Sequence, residues 1–154
     1  MTHTPEYEPK DPQFESRVRQ SFARQLVMST IGAELDRVEP GFVEIRLPFR
    51  QDLTQQHGFV HAGIIATVAD SSCGYAAFSL MSAEAAVLSV EFKINLLRPA
   101  SGVSFVARGR VLKPGHNLMA CAADVFAIDA AGERLISTML ATIMVVIDRP
   151  ELDG

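Results

Sequence analysis

The stretch "HGFVHAGIIATVADSSCGYAA", His57 to Ala77, reads as a loop running into a long apolar helix, yet Asp70 stands in the middle of it. Burying a carboxylate without a partner costs about 1–3 kcal/mol or more. The rest of the chain has to explain why an acid is kept there.

Working outward, the residues after this helix read entirely as β structure. Val87 to Leu97 alternates, with Val90, Phe92, Ile94 and Leu96 expected on one face. Val103 to Lys113, Asn117 to Ile128 and Arg134 to Ile147 follow, separated by Pro114-Gly115 and Ala131-Gly132 turns. Upstream, Pro40-Gly41 suits the centre of a type II turn between two strands. The second of these alternates Val43, Ile45 and Leu47 against Glu44 and Arg46. Phe14, Val18, Phe22 and Leu26 recur every fourth residue, which predicts an amphipathic helix ending near Ser29.

The order is helix, two strands, long helix, four long strands. Consecutive antiparallel strands with segregated helices predict an α+β domain. A central helix apolar on most sides needs a curved sheet wrapped around it. Pro5, Pro9 and Pro12 predict a disordered tail over residues 1–12, leaving 13–154 as a single domain.

The chain has 154 residues, 48% hydrophobic and 21% charged, with a net charge of −4. That balance argues against nucleic acid as a partner, because phosphate-reading domains are basic. The apolar run Ala62 to Met81 carries Asp70, serines and glycines, so no membrane span is expected. The polar N-terminus speaks against a secretion signal. Cys73 and Cys121 lack metal or redox spacing and read as reduced, buried thiols. The expected location is the cytoplasm.

No GxSxG, GxxxxGK[ST], HExxH or GxGxxG pattern is present. Ser71 and Ser72 adjoin Asp70, but successive helix positions point about 100° apart, which makes them poor triad partners. His57 and His61 lie four apart without a third ligand nearby, so no metal is expected. His61 also suits a second role, satisfying backbone groups at the helix start. The first N–H groups of a helix have no internal partner and sit at its positive end, a ready site for an oxyanion. A carboxylate two turns on could meet a carbonyl held there if the substrate lies along the helix. Acid plus oxyanion donors is a recipe for acyl transfer. The competing reading of Asp70 is a structural acid paired with a backbone group or a cation of a neighbouring subunit.

His61-Ala62-Gly63 with Asp70 nine residues after the histidine, the small-residue helix, "SVEFKINLLRPA" (Ser89 to Ala100) and "RGRVLKPG" (Arg108 to Gly115) resemble the hotdog-fold acyl-CoA thioesterases. The branch most similar is that named for phenylacetate degradation, and the resemblance covers about 41–146. It implies a helix wrapped by an antiparallel sheet and a homodimer or dimer of dimers, active as a homotetramer in the second case. The substrate it implies is an acyl-CoA thioester, with no cofactor beyond the substrate's own CoA. By this resemblance Asp70 is the catalytic acid, acting as nucleophile or as general base on water. Ala62 and Gly63 supply backbone N–H groups to the thioester carbonyl, and His61 supports their loop. Gln55 is a polar side chain contributed across the subunit boundary, and Ser89 is an assisting hydroxyl. Arg98, Lys113 and His116 are the cations expected to meet CoA phosphates.

Two positions depart from the family. Gly is usual where this chain has Ala62, and relatives with Gln at position 55 often carry Glu at position 70. Two other functions fit the same fold: dehydration or hydration of acyl thioesters, and non-catalytic acyl-CoA binding.

Overall fold

Seventeen residues, Ala62–Phe78, form the helix that organises the chain (α3). The computed structural model describes residues 7–152. Before α3 come α1 (Phe14–Arg24), α2 (Leu26–Ile31), β1 (Glu34–Glu39), β2 (Phe42–Pro48) and a 3-10 turn at Gln51–Leu53. After it come β3 (Ala86–Leu96), β4 (Ser104–Lys113), β5 (Leu118–Asp129) and β6 (Gly132–Val146). The six strands form one sheet in the order β1-β2-β4-β5-β6-β3, every pairing antiparallel. The sheet wraps α3, which packs against β2, β3, β4, β5 and β6. This is the helix-in-sheet α+β architecture expected from patterning.

Small side chains make that wrapping tight. Ala107, Gly109, Cys121 and Ala123 line the inner face of β4 and β5, opposite Ala69, Ser72, Cys73 and Ala76 of α3. Gly41, with φ 74°, sits where a type II turn requires a left-handed residue between β1 and β2. Val43, Ile45 and Leu47 are fully buried, as their alternation predicts.

Two local departures matter. The expected single N-terminal helix is broken at Gln25, whose extended backbone (ψ 93°) separates α1 from α2. The break rotates the register, so Met28 and Ile31 are buried whereas Leu26 is 79% exposed. In β3, the pairing with β6 shifts between Ser89 and Glu91, leaving Val90 as a bulge. A bulge inverts which side chains face inward beyond it. Ser89, Phe92, Ile94 and Leu96 therefore pair with the inward-facing Ile143, Ala141, Met139 and Ser137, and Val90 leaves the face predicted for it.

Of the segment expected to be disordered, residues 1–6 lie outside the described residues. The part from Tyr7 is anchored: the Tyr7 hydroxyl donates to the Leu112 carbonyl (3.2 Å), and Asp11 pairs with Arg17 (2.9 Å). The Gln13 backbone N–H and the Arg17 guanidinium hold the Asp11 carboxyl below its usual range.

Arg17 in turn closes the end of α3. Its guanidinium donates to the carbonyls of Phe78 (3.2 Å) and Met81 (2.8 Å) and lies 4.2 Å over the Phe78 ring. The Phe78 carbonyl, the last of α3, also accepts the Met81 N–H (3.1 Å), and the Met81 carbonyl lies in the turn that follows the helix. Arg17→Met keeps most of the packing but removes the donors, so a loss of about 2–3 kcal/mol is expected. At this chain length the melting temperature should fall by roughly 5–10 °C. An unchanged melting curve would mean that water replaces Arg17 at those carbonyls.

Candidate active site

The loop entering α3 is pinned at several points. Thr54 and Val60 form an isolated bridge, the Gln55 N–H donates to the Phe59 carbonyl (2.8 Å), and Gly58 turns with φ 86°. Val60 and His61 N–H groups donate to Ala100 (3.1 Å) and Leu53 (2.9 Å). The Gln55 side-chain carbonyl accepts the His57 N–H, leaving its NH2 as the free donor among the described residues.

His61 is the N-cap of α3. Its Nδ1 accepts the Gly63 N–H at 2.8 Å, which puts the proton of the neutral ring on Nε2. Ile64 and Ile65 N–H groups both donate to the His61 carbonyl (3.0 and 3.2 Å). Of the two N–H groups expected to face a carbonyl, Gly63 is therefore occupied by His61. Ala62, exposed at the first helical position, has no hydrogen-bond partner for its N–H among the described residues. Its backbone is helical. Asp148 is the sole described non-glycine with positive φ, so alanine in place of the usual glycine brings no strain here.

Asp70 lies half-buried on α3. The Ser89 hydroxyl donates to its Oδ1 at 2.7 Å, and among the described residues no cation pairs with it. Burial pushes its carboxyl above the ordinary aspartate range, and the Ser89 bond pulls the other way. The β3 bulge begins at Ser89, so the strand is bent where its hydroxyl meets the acid. Asp70 and Ser89 line a cavity of about 570 Å³ with Ser21, Gln25 and Tyr75. Nothing in the sequence pointed to Ser21 or Gln25, because the helix break that brings them there has no local signature.

The expected oxyanion loop lines a different cavity, of about 520 Å³, shared by Gln55, His61, Ala62 and Arg98. Asp70 follows Ala62 by eight residues, a rise of about 12 Å along a helix. A thioester carbonyl cannot touch both groups of one chain, so the expected reach along a single helix fails.

The three expected phosphate cations are dispersed. Arg98 borders the loop cavity, and its guanidinium donates to the Leu135 carbonyl (2.7 Å). His116 lines a third cavity with Tyr7 and Lys10, and Lys113 is exposed at the end of β4. Ser71 bonds Gln25 (3.3 Å) and Ser72 bonds the Ala69 carbonyl (2.8 Å), so both hydroxyls are committed away from Asp70. Cys73 and Cys121 are free and buried, and burial pushes both thiols up, Cys121 to about 12.

A capped helix start, a lone half-buried acid two turns on and a sheet wrapped around both agree with what comparison finds. The family model described as "Thioesterase superfamily" matches residues 57–134, from the entry loop to the start of β6. The chain belongs to the thioesterase superfamily. A crystal structure of a thioesterase family protein from Silicibacter pomeroyi is 55% identical, with TM-score 0.86, over 87% of this chain and 98% of that one. A protein of Saccharolobus solfataricus named as a "putative esterase" is 28% identical over 114 residues, 74% of each chain. The E. coli PaaI protein, from the phenylacetic acid degradation operon, shares the fold. Its TM-score is 0.78 at 14% identity, over 87% of this chain and 94% of that one.

Thioester hydrolysis is the activity class this membership supports. Among the described residues, no group of three or more His, Cys, Asp or Glu is placed to hold a metal, His57 and His61 included. No described helix is long and apolar enough to cross a membrane.

Proposed function

We propose that this chain hydrolyses acyl-CoA thioesters at sites assembled from two copies, with Asp70 of one copy working on a carbonyl held by the Ala62 loop of the other. The observation that carries the reading is Asp70 itself: a half-buried acid with one hydroxyl partner and no ion pair among the described residues, in a cavity whose wall also carries Arg24. A binding module gains nothing from that arrangement, whereas a base or nucleophile needs it. Ala62 N–H at the positive end of α3 polarises the thioester carbonyl. Asp70 either takes a proton from an attacking water or attacks the carbonyl carbon itself. In both cases the acyl–sulfur bond breaks, the CoA thiol leaves with a proton, and water supplies the oxygen of the acid product. Arg98 at the cavity mouth suits a CoA phosphate. No cofactor beyond the CoA of the substrate takes part.

The separation of about 12 Å along α3 is why a second copy is required. β3 supplies a surface for it: an edge strand of 11 residues, with Leu88, Val90, Phe92 and Leu96 exposed. Long apolar edges invite pairing.

A mixed dimer tests the sharing. Gln55→Ala alone should lower turnover about 10- to 100-fold with less effect on KM, because an amide that positions water acts mainly in the transition state. One copy then carries Asp70→Asn and the other Gln55→Ala. If the site is composite, both lesions fall in one site and the other is intact, so about half the wild-type rate of thiol release survives. A rate near zero would show that each copy supplies its own pair, and the shared site would be wrong.

A further inference from the structure

The break between α1 and α2 falls where nothing local forces one: residues 20–31 hold neither proline nor glycine. Burial of Met28 and Ile31 accounts for the change of register that follows, but not for a polar amide at the corner. That corner is fastened to α3 at two points. The Ser21 and Tyr75 hydroxyls meet at 3.3 Å, and the Ser71 hydroxyl donates to the Gln25 side-chain carbonyl at 3.3 Å. Ser21 and Gln25 are four residues apart, as are Ser71 and Tyr75, so contacts one helical turn apart hold the corner in a fixed orientation. With its carbonyl on Ser71, Gln25 presents its NH2, which has no hydrogen-bond partner among the described residues. The side chain is half-buried and lines the cavity of about 570 Å³ together with Asp70, Ser71 and Ser89.

Asp70 is the residue before Ser71, and its Oδ1 is taken by the Ser89 hydroxyl at 2.7 Å. A water in this cavity can accept from the Gln25 NH2 and donate to Oδ2, with one lone pair left for the carbon under attack. We infer that Gln25 holds the water consumed in thioester hydrolysis against Asp70 of its own chain. This deepens the acyl-CoA reading above and rests on it. Whether Asp70 takes a proton from that water or attacks first, a water must be in place before the acid product can form. A donor already braced at the cavity wall places it without losing freedom of its own. Gln55 arrives with the Ala62 loop of the other copy, so the two amides approach the reacting centre from opposite subunits.

The experiment follows thiol release from an arylacetyl-CoA and a medium-chain acyl-CoA across pH. Gln25→Glu keeps an oxygen for the Ser71 hydroxyl and removes the NH2, which separates holding the water from bracing the corner. Its kcat should fall about 10-fold or more while KM changes by less than about 3-fold, because held water counts in the transition state and little in substrate binding. The new carboxylate joins Glu151 on a wall where Arg24 is the cation and burial keeps the Tyr75 hydroxyl neutral. A further like charge beside Asp70 should move the acid limb of the rate upward. Ser71→Ala does the reverse, releasing the brace and keeping the NH2, and should cost kcat less than Gln25→Glu does. If Gln25→Glu does not fold, Gln25→Met takes its place: it lacks the NH2, adds no charge, and should show the same fall in kcat with the wild-type acid limb. Wild-type kcat without the NH2 overturns the inference, and so does an acid limb that Gln25→Glu leaves in place. A loss in Ser71→Ala as large as that in Gln25→Glu also overturns it, since bracing would then be the whole effect. A wild type inert on both thioesters removes the acyl-CoA reading itself, whereas an active enzyme indifferent to Gln25 removes this inference alone.

Discussion

Asp70→Asn is expected to lower thioester turnover by about 10²–10⁴-fold while raising the melting temperature at neutral pH. Asparagine keeps the shape and an Oδ1 that can still accept from Ser89, so the fold around the 2.7 Å bond should survive. What is lost is the charge. Burial holds the Asp70 carboxyl above its usual range, so the folded state tolerates the charged form less well than the unfolded chain does. Below the ordinary aspartate pKa both states are protonated and no penalty exists. As pH rises through the elevated folded value, the penalty develops and wild-type stability falls relative to the variant. The Asn variant should therefore melt together with wild type in acid and above it at neutral pH. The rate should run the opposite way. The wild-type acid limb should lie above the ordinary aspartate range, because the working form is the carboxylate, and the variant should lack it. Thiol release and thermal melts across pH measure both. A variant as fast as wild type would remove Asp70 from the chemistry. A lower melting temperature at neutral pH would mean the carboxylate has a favourable cationic partner, the structural reading of this acid.

Much of this fold was legible because its signals are local. The alternation of Val43, Ile45 and Leu47, the Pro40-Gly41 turn and the apolar run of α3 each need only a few neighbouring residues to be read. The acid on α3 stood out for the same reason. What escaped the sequence depends on distant pairing. The bulge that puts Ser89 on the same face as Phe92 is a mismatch in length between β3 and β6, strands far apart in the chain. Whether the Gly63 N–H is open or taken depends on the rotamer of His61, and spacing does not report rotamers. The dispersal of Arg98, Lys113 and His116 follows from which ends of the sheet carry β3, β4 and the turn after it.

Gly109→Ala should destabilise the core severely through a single added methyl. Gly109 has ordinary strand backbone, so the objection to alanine is purely one of space. A Cβ at this position would meet the carbonyl carbon and oxygen of Ser72 at 2.2 Å and the Cys73 nitrogen at 2.7 Å. These are backbone atoms of α3 and no rotamer change moves them. Either α3 lifts from the sheet or β4 bows outward, against Val43 on one side and Ala123 on the other. Overpacking usually costs about 1–3 kcal/mol when side chains can yield, and here they cannot, so about 3 kcal/mol or more is expected. That corresponds to a fall in melting temperature of roughly 6–12 °C. Because α3 carries Asp70, its displacement should also stretch the bond to Ser89 and reduce turnover in whatever protein remains folded. Gly74→Ala is the matched control. Gly74 lies on the same helix, and a methyl added to it would have nothing within 4 Å beyond its own helix turn. Alanine in a helix gains about 0.5–1 kcal/mol over glycine. Urea midpoints of the two variants should therefore move in opposite directions from wild type. Equal midpoints would mean that α3 does not rest on β4 as closely as 2.2 Å implies, and the sheet would have to wrap the helix more loosely.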